Sequence, residues 1–369
     1  MAPAALISTA VETAPSKVSQ APQSLKTVKA PQVVGSSTRK ATRPTRQLPQ
    51  SLIDGAKIAK KRSFSPEEHL DYERPSKIHK MAELGLEGAG ISPNAISEPF
   101  KLFNEEAIKQ MRAEIFSEPV LRDCQYKSSF CSNMIRGMGH GRAPFIYDVW
   151  KSPEVLAKIS EVAGIDLIPA FDFEIANINI AVKDDPKPGE TVNTNGTVAK
   201  AADADDVPAF AWHFDSFPFV CVTMLSDCTD MVGGETAINL PDGTVKKVRG
   251  PAMGYAVVMQ GRYLEHQALK ALGGRERITM VTAFRPKDPL VTDESILVGV
   301  RGISDLGELY PQYFQYRLEV LEERVRAEMK AQRAREVARK PFDVEKARAW
   351  AERQREFLDS ILKEMFTVE

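Results

Sequence analysis

The chain is short of several things that would fix its class at once. Four cysteines in 369 residues are too few for a disulfide scaffold, and neither Cys124/Cys131 nor Cys221/Cys228 has the two-residue gap of a zinc knuckle. Reduced thiols are expected, in a cytoplasmic or nuclear setting. No apolar run reaches about 18 residues, so no membrane-spanning helix is expected. The opening Met1-Ala-Pro-Ala-Ala-Leu-Ile lacks the charged start and apolar stretch of a secretory signal. Arg is missing until Arg39 and Glu12 comes early, which speaks against a transit peptide. The formal charge is only -1, so no nucleic-acid partner is expected. Aromatic residues are missing altogether before Phe64.

That last absence coincides with a charge split. Residues 1 to 62 carry eleven Lys and Arg against two acids, Glu12 and Asp54, for a net of +9, and the rest of the chain carries -10. This basic segment is rich in Ala, Pro, Ser, Thr, Lys and Gln and has no aromatic to nucleate a core, so it reads as a flexible arm. Its Lys60-Lys61-Arg62 cluster reads as a solvated linker, since no aromatic interleaves it. Residues 63 to 95 read as a partly ordered lead-in.

Beyond it the hydrophobic period changes twice. Asn104, followed by Glu105 and Glu106, opens a helical pattern with Ile108, Met111 and Ile115 on one face. Ser152-Pro153-Glu154 opens a second one, with Leu156, Ile159 and Val162 aligned and Gly164 as the stop. From Phe171 the run alternates as a strand, placing Asn177 and Asn179 on one face. Lys183 to Pro208 reads as a long polar loop. Seven more strands are expected, over 210–215, 219–226, 235–240, 244–248, 255–260, 264–267 and 277–284. Pro241-Asp242-Gly243 marks a hairpin turn. The chain then returns to helix, with stripes Phe314/Leu318/Leu321/Val325/Met329 and Trp350/Phe357/Ile361/Met365, the second opened by Asp343. Both stripes are expected to pack on the core.

The strand-rich stretch concentrates the chemistry. His213 and Asp215 are two apart, so on a strand they share a face about 7 Å apart along the backbone. His266 follows on the seventh expected strand. Two imidazoles and a carboxylate leave coordination positions open on a metal, the arrangement that non-haem Fe(II) oxygenases use. After His266 comes Arg275-Glu-Arg277-Ile-Thr279, whose two arginines and threonine share one side of a strand. A guanidinium can clamp a carboxylate with two parallel hydrogen bonds, and a neighbouring hydroxyl completes the grip.

His213-x-Asp215, His266 and Arg277-x-Thr279, in that order, closely resemble the Fe(II)/2-oxoglutarate-dependent dioxygenases. Gly233-Gly234-Glu235-Thr236 resembles the strand-opening segment of the hydroxylase branch. Trp212 to Val220, Gln260 to His266 and Arg277 to Pro286 resemble a group of fungal oxygenase-like proteins of mostly unassigned substrate. The resemblance spans roughly residues 95 to 290. It implies a mainly β fold with flanking helices: a double-stranded β-helix (jelly-roll, cupin-like) core over residues 96–290 with preceding helices, and a C-terminal helical pair over 291–369.

It also implies roles. His213, Asp215 and His266 match the iron ligands. Either Arg275 or Arg277 fits as the anchor of the 2-oxoglutarate carboxylate, and Arg277 alone gives the Arg-x-Thr pattern with Thr279. Asn177 and Asn179 are candidates for the other end of the co-substrate, and Thr236 is a further one. With iron(II), 2-oxoglutarate and O2, the implied reaction is hydroxylation, desaturation or a related C–H oxidation of a small organic molecule in a biosynthetic pathway, releasing succinate and CO2. The same chemistry on a protein or nucleic acid steered by the basic arm, and a non-catalytic metal-binding barrel, stay open as alternatives. Residues 136–142, Arg-Gly-Met-Gly-His-Gly-Arg, suggest a mobile lid in which Arg136 or Arg142 meets an anionic substrate.

Overall fold

A computed structural model describes residues 28–35, 40–44, 47–127, 131, 133–182, 212–229, 231–248, 250–269, 271–272 and 276–367. The strand Glu276–Pro286 is the spine of a ten-stranded antiparallel sheet. It pairs with Asn177–Val182 on one side and Phe219–Met224 on the other, and Phe219–Met224 pairs in turn with Tyr255–Met259. A three-stranded sheet of Val245–Val248, Thr236–Asn239 and Glu265–Ala268 is the second layer.

The long strand is buried on both faces, which is why its sequence reads as a nearly unbroken apolar run. Ile278, Met280 and Phe284 join the core formed with Met111, Ile146, Trp150 and Ile159 of the helices. Ala283, from the opposite face, packs with Val220 and Ile238 between the sheets. The covering helices start where the sequence marks them. The Asn104 side chain accepts from the Ala107 N–H at 2.9 Å to cap Glu105–Ile115. Ser152 caps Pro153–Ala163, and Gly164, at φ 73°, closes it in the left-handed region. A third helix, Pro144–Lys151, has no such cap of its own. The Glu114 carboxylate instead accepts from the N–H groups of Phe145 and Ile146, at 2.9 and 3.0 Å.

Four expectations need correction. The strand expected from Phe171 starts only at Asn177. Asp172–Glu174 is a single 3-10 turn and Ala176 sits at φ 58°, a backbone that no strand can pass through. Burial there does not alternate, since Phe171, Phe173, Glu174, Ile175 and Ala176 are all buried. The segment 210–215 is likewise no regular strand: His213 makes one isolated bridge to His266, and residues 210 and 211 lie outside the described residues.

Part of the basic segment is built into the fold. Gln50–Gly55 is a short helix, and Leu48, Leu52 and Ala56 are buried in the core of the covering helices. Aliphatic side chains docking on an existing surface replace the missing aromatics. The fourth correction concerns the 32-residue helix Leu306–Val337. Of its expected stripe, Leu321 packs on the core, but Phe314, Leu318, Val325 and Met329 are exposed, and the buried face is Leu309, Tyr313, Tyr316, Arg317 and Val320. Arg317 is covered because its guanidinium lies over the Phe357 ring, 3.5 Å from the centroid, and donates to the Phe357 carbonyl. The closing helix Val344–Glu364 follows its cap Asp343 as expected, with Phe357 and Ile361 buried.

The hairpin at Pro241-Asp242-Gly243 is present, with the Asp242 carboxylate accepting from the Thr244 N–H and Gly243 at φ 82°. The expected polar loop 183–208 lies outside the described residues, as do Gly273, Gly274 and Arg275. No helix among the described residues is long and apolar enough to cross a membrane.

Candidate metal centre

The site begins as backbone. His213 and His266 donate their N–H groups to each other's carbonyls, both at 2.9 Å, and the Asp215 N–H donates to the Gly261 carbonyl at 2.9 Å. Two segments far apart in sequence are thereby laid side by side. The three side chains converge: His213 Nε2 is 3.8 Å from Asp215 Oδ1, and His266 Nε2 is 3.7 Å from Asp215 Oδ2. One ligand atom from each residue lies within 4.8 Å of the others.

Four observations fit this set to a metal cation. Asp215 Oδ2 is buried with no hydrogen-bond partner, an expensive state for a carboxylate oxygen unless a cation takes it up. His266 Nδ1 lies 2.9 Å from the Leu264 carbonyl, which can only accept, so the proton sits on Nδ1 and Nε2 keeps its lone pair. Burial pushes the His266 imidazole below its ordinary range, against the pull of Asp215, and so favours the neutral ring that binds metal. Finally, a Cβ on Gly261 would stand 1.8 Å from Asp215 Oδ2, so only glycine leaves room for the carboxylate.

The three residues line a cavity of about 190 Å³ between the two sheets. Arg277, Thr279, Val281 and Ala283, alternate residues of the long strand, form one wall. Asn179 pairs with Thr279 and Asn177 with Val281 on the neighbouring strand, and all four line the cavity. Thr236 faces them from the smaller sheet. Arg277 is buried, and its Nε donates to the Gly234 carbonyl at 3.2 Å. Among the described residues no carboxylate lies within ion-pair distance of it. Burial lowers its pKa, and such a guanidinium calls for an anion. The alternative anchor, Arg275, lies outside the described residues.

Sequence reasoning missed a second polar group in this cavity. Arg136 and Glu174 form an ion pair at 2.6 Å with both side chains almost fully buried. The Asn177 amide donates to the other Glu174 oxygen at 2.7 Å. Burial pushes the Glu174 carboxyl up, Arg136 and Asn177 pull it down, and the charge of Asp215 adds to the rise. Arg136 is therefore a wall residue tied to Glu174. Arg142 pairs with Asp123, and the exposed His140 pairs with Asp148. Of the glycines in 136–142, Gly137 serves packing, since a Cβ there would stand 2.3 Å from the Phe173 ring, Gly139 holds φ 70°, and a Cβ on Gly141 would meet open space. Val34, from the basic segment, also lines the cavity, beside Val300 and Ile303. The aromatic run around His213 divides: Phe217 is buried on the cavity wall, Phe219 joins the outer core, and Trp212 is exposed.

No family model and no curated protein matches the chain. Among solved structures it is similar to a 2OG-Fe(II) oxygenase family oxidoreductase from Burkholderia pseudomallei, at 15% identity and TM-score 0.34, over 49% of this chain and 79% of that one. It is similar to the non-heme alpha ketoglutarate dependent epimerase SnoN from nogalamycin biosynthesis, at 17% identity and TM-score 0.35, over 54% and 88%. A prolyl-4-hydroxylase from Pseudomonas putida matches at 16% identity and TM-score 0.25, over 42% and 72%.

Proposed function

We propose that the chain is an Fe(II)/2-oxoglutarate-dependent dioxygenase with a double-stranded β-helix core, oxidising a small organic molecule in a biosynthetic pathway. The observation that carries the reading is the convergence of His213, Asp215 and His266 in one cavity with an unpaired buried arginine, Arg277. Iron(II) bound with 2-oxoglutarate and O2 would supply the oxidising power, splitting 2-oxoglutarate to succinate and CO2 as a substrate C–H bond is oxidised.

The chain's own residues do the rest. His213, Asp215 and His266 would hold the metal at the cavity. Arg277 takes the distal carboxylate of 2-oxoglutarate in a charge-assisted pair, with the Thr279 hydroxyl beside it on the same strand face. Asn179, registered against Thr279, and Thr236 offer further hydrogen bonds. Val220, Val281 and Ala283 make the wall apolar and exclude water from the reacting carbon. A small-molecule substrate is supported by the modest volume of the cavity and by Val34, Val300 and Ile303 lining it.

The test is succinate formation from 2-oxoglutarate by the Fe(II)-loaded chain in air, which proceeds slowly even without substrate. The wild type is expected to produce succinate, and His266→Ala none. Folded, iron-loaded wild type that forms no more succinate than the variant contradicts the reading.

A further inference from the structure

The group Arg136, Glu174 and Asn177 faces the same cavity as the metal-binding set. Its place follows from strand register. Asn177 pairs with Val281, four residues along the strand from Arg277, or about 13 Å at 3.3 Å per residue. A five-carbon diacid spans only roughly 5 Å between its carboxyl carbons at ~1.5 Å per bond. A co-substrate lying along this wall from Arg277 covers only part of that length. The space beside Asn177 is then left for whatever is oxidised.

Two atoms of this group are waiting for a partner. Arg136 Nε, a donor, and Asn177 Oδ1, an acceptor, are buried with no hydrogen bond, although their residues are only 5% and 7% exposed. Both side chains flank the Glu174 carboxylate. The backbone is strained at the same place, since Ala176, between Glu174 and Asn177, holds φ 58° without being glycine. Such costs call for an explanation, and a ligand that repays them is one. The charge is already balanced, because Glu174 neutralises Arg136 at 2.6 Å, so an incoming anion would meet a paired arginine with Glu174 and Asp215 close by.

We infer that Arg136, Glu174 and Asn177 form the substrate-recognition subsite, and that the substrate is a largely apolar small molecule bearing one uncharged hydrogen-bonding group, an amide or hydroxyl, rather than a carboxylate or phosphate. That group accepts from Arg136 Nε and donates to Asn177 Oδ1. The remainder of the molecule lies against Met134, Phe217, Val300 and Ile303. This assignment rests on the dioxygenase reading for what happens to the substrate, but not for what binds.

The experiment uses the full chain and three probes of similar size, N-methylbenzamide, benzoate and toluene, with binding followed by ligand-observed NMR. It is run on metal-free protein and on protein holding zinc(II) and 2-oxoglutarate. The amide is expected to bind at least about tenfold tighter than benzoate in both forms. Glu174→Gln removes the counter-charge of Arg136 and is expected to invert the order in favour of benzoate by about tenfold or more. Asn177→Ala is expected to lower amide affinity about fivefold to tenfold and leave toluene unchanged. The two variants stand independently, so one that fails to fold leaves the other as the test. Benzoate binding as tightly as the amide to wild type, no amide binding in the millimolar range, or a folded Glu174→Gln with unchanged order overturns the inference. Failure to bind metal or 2-oxoglutarate with the amide preference intact counts against the dioxygenase reading alone.

Discussion

His213 and His266 are joined by a reciprocal pair of backbone hydrogen bonds, 2.9 Å each way, with ring centroids 4.4 Å apart. The two imidazoles are therefore positioned by the fold and not by the metal. Chelation should leave the chain folded, with far-UV circular dichroism unchanged and Tm lowered only by the mass-action term for a lost ligand. A chain that unfolds with EDTA, as zinc fingers do, contradicts this preorganisation.

Gly261 is the space that Asp215 occupies. Gly261→Ala puts a methyl group 1.8 Å from Oδ2 as it now stands, so the carboxylate must swing away. Metal affinity is expected to fall by about tenfold to a hundredfold with the fold retained, the range seen when the support of a ligand is lost. Isothermal titration with a divalent metal reads it directly, and unchanged affinity would remove Gly261 from the account.

Arg277 and metal binding separate cleanly. Arg277→Met removes a charge-assisted anchor worth about 1.5 to 3 kcal/mol, so the Kd for 2-oxoglutarate should rise about 10- to 150-fold while the metal content stays at one per chain. Thr279→Val, which removes one neutral hydroxyl, should have an effect of about fivefold in the same direction. If Arg275→Met produces the large effect and Arg277→Met does not, the anchor has been misassigned.

Leu48, Leu52 and Ala56 tie the described part of the basic segment to the core. Leu52→Ala should cost about 2–5 kcal/mol in chemical denaturation, the usual range for truncating a buried leucine, and deletion of residues 1–62 should cost more. The sequence alone predicts no effect of that deletion on the folded domain. A deletion with unchanged stability and turnover would restore the flexible-arm reading.

What was legible in the sequence was whatever local chemistry determines. Asn104, Ser152 and Asp343 announce helix starts because a side chain caps the helix within three residues, and Pro241-Asp242-Gly243 announces a hairpin for a similar reason. His213, Asp215 and His266 are legible as a set from the order His-x-Asp, His, Arg-x-Thr, although residues 213–215 make one isolated bridge and no regular strand. The Arg136–Glu174 pair was not, since it joins a glycine-spaced segment to a turn that passes for the start of a strand. Only Ala176, in a left-handed backbone that its identity gives no hint of, separates turn from strand. The outward stripe of Leu306–Val337 was misread for another reason. Periodicity shows that a face is apolar, but two buried arginines, Arg317 and Arg324, pull the opposite face onto the closing helix through the Phe357 ring.

The most direct measurement is anaerobic titration of the purified chain with Fe(II) and then 2-oxoglutarate, followed by visible absorption. A weak charge-transfer band should grow in and saturate at one iron and one 2-oxoglutarate per chain, and His213→Ala should abolish it. Folded wild-type protein that takes up iron and shows no such band, or a band that survives in His213→Ala, contradicts the assignment of this site.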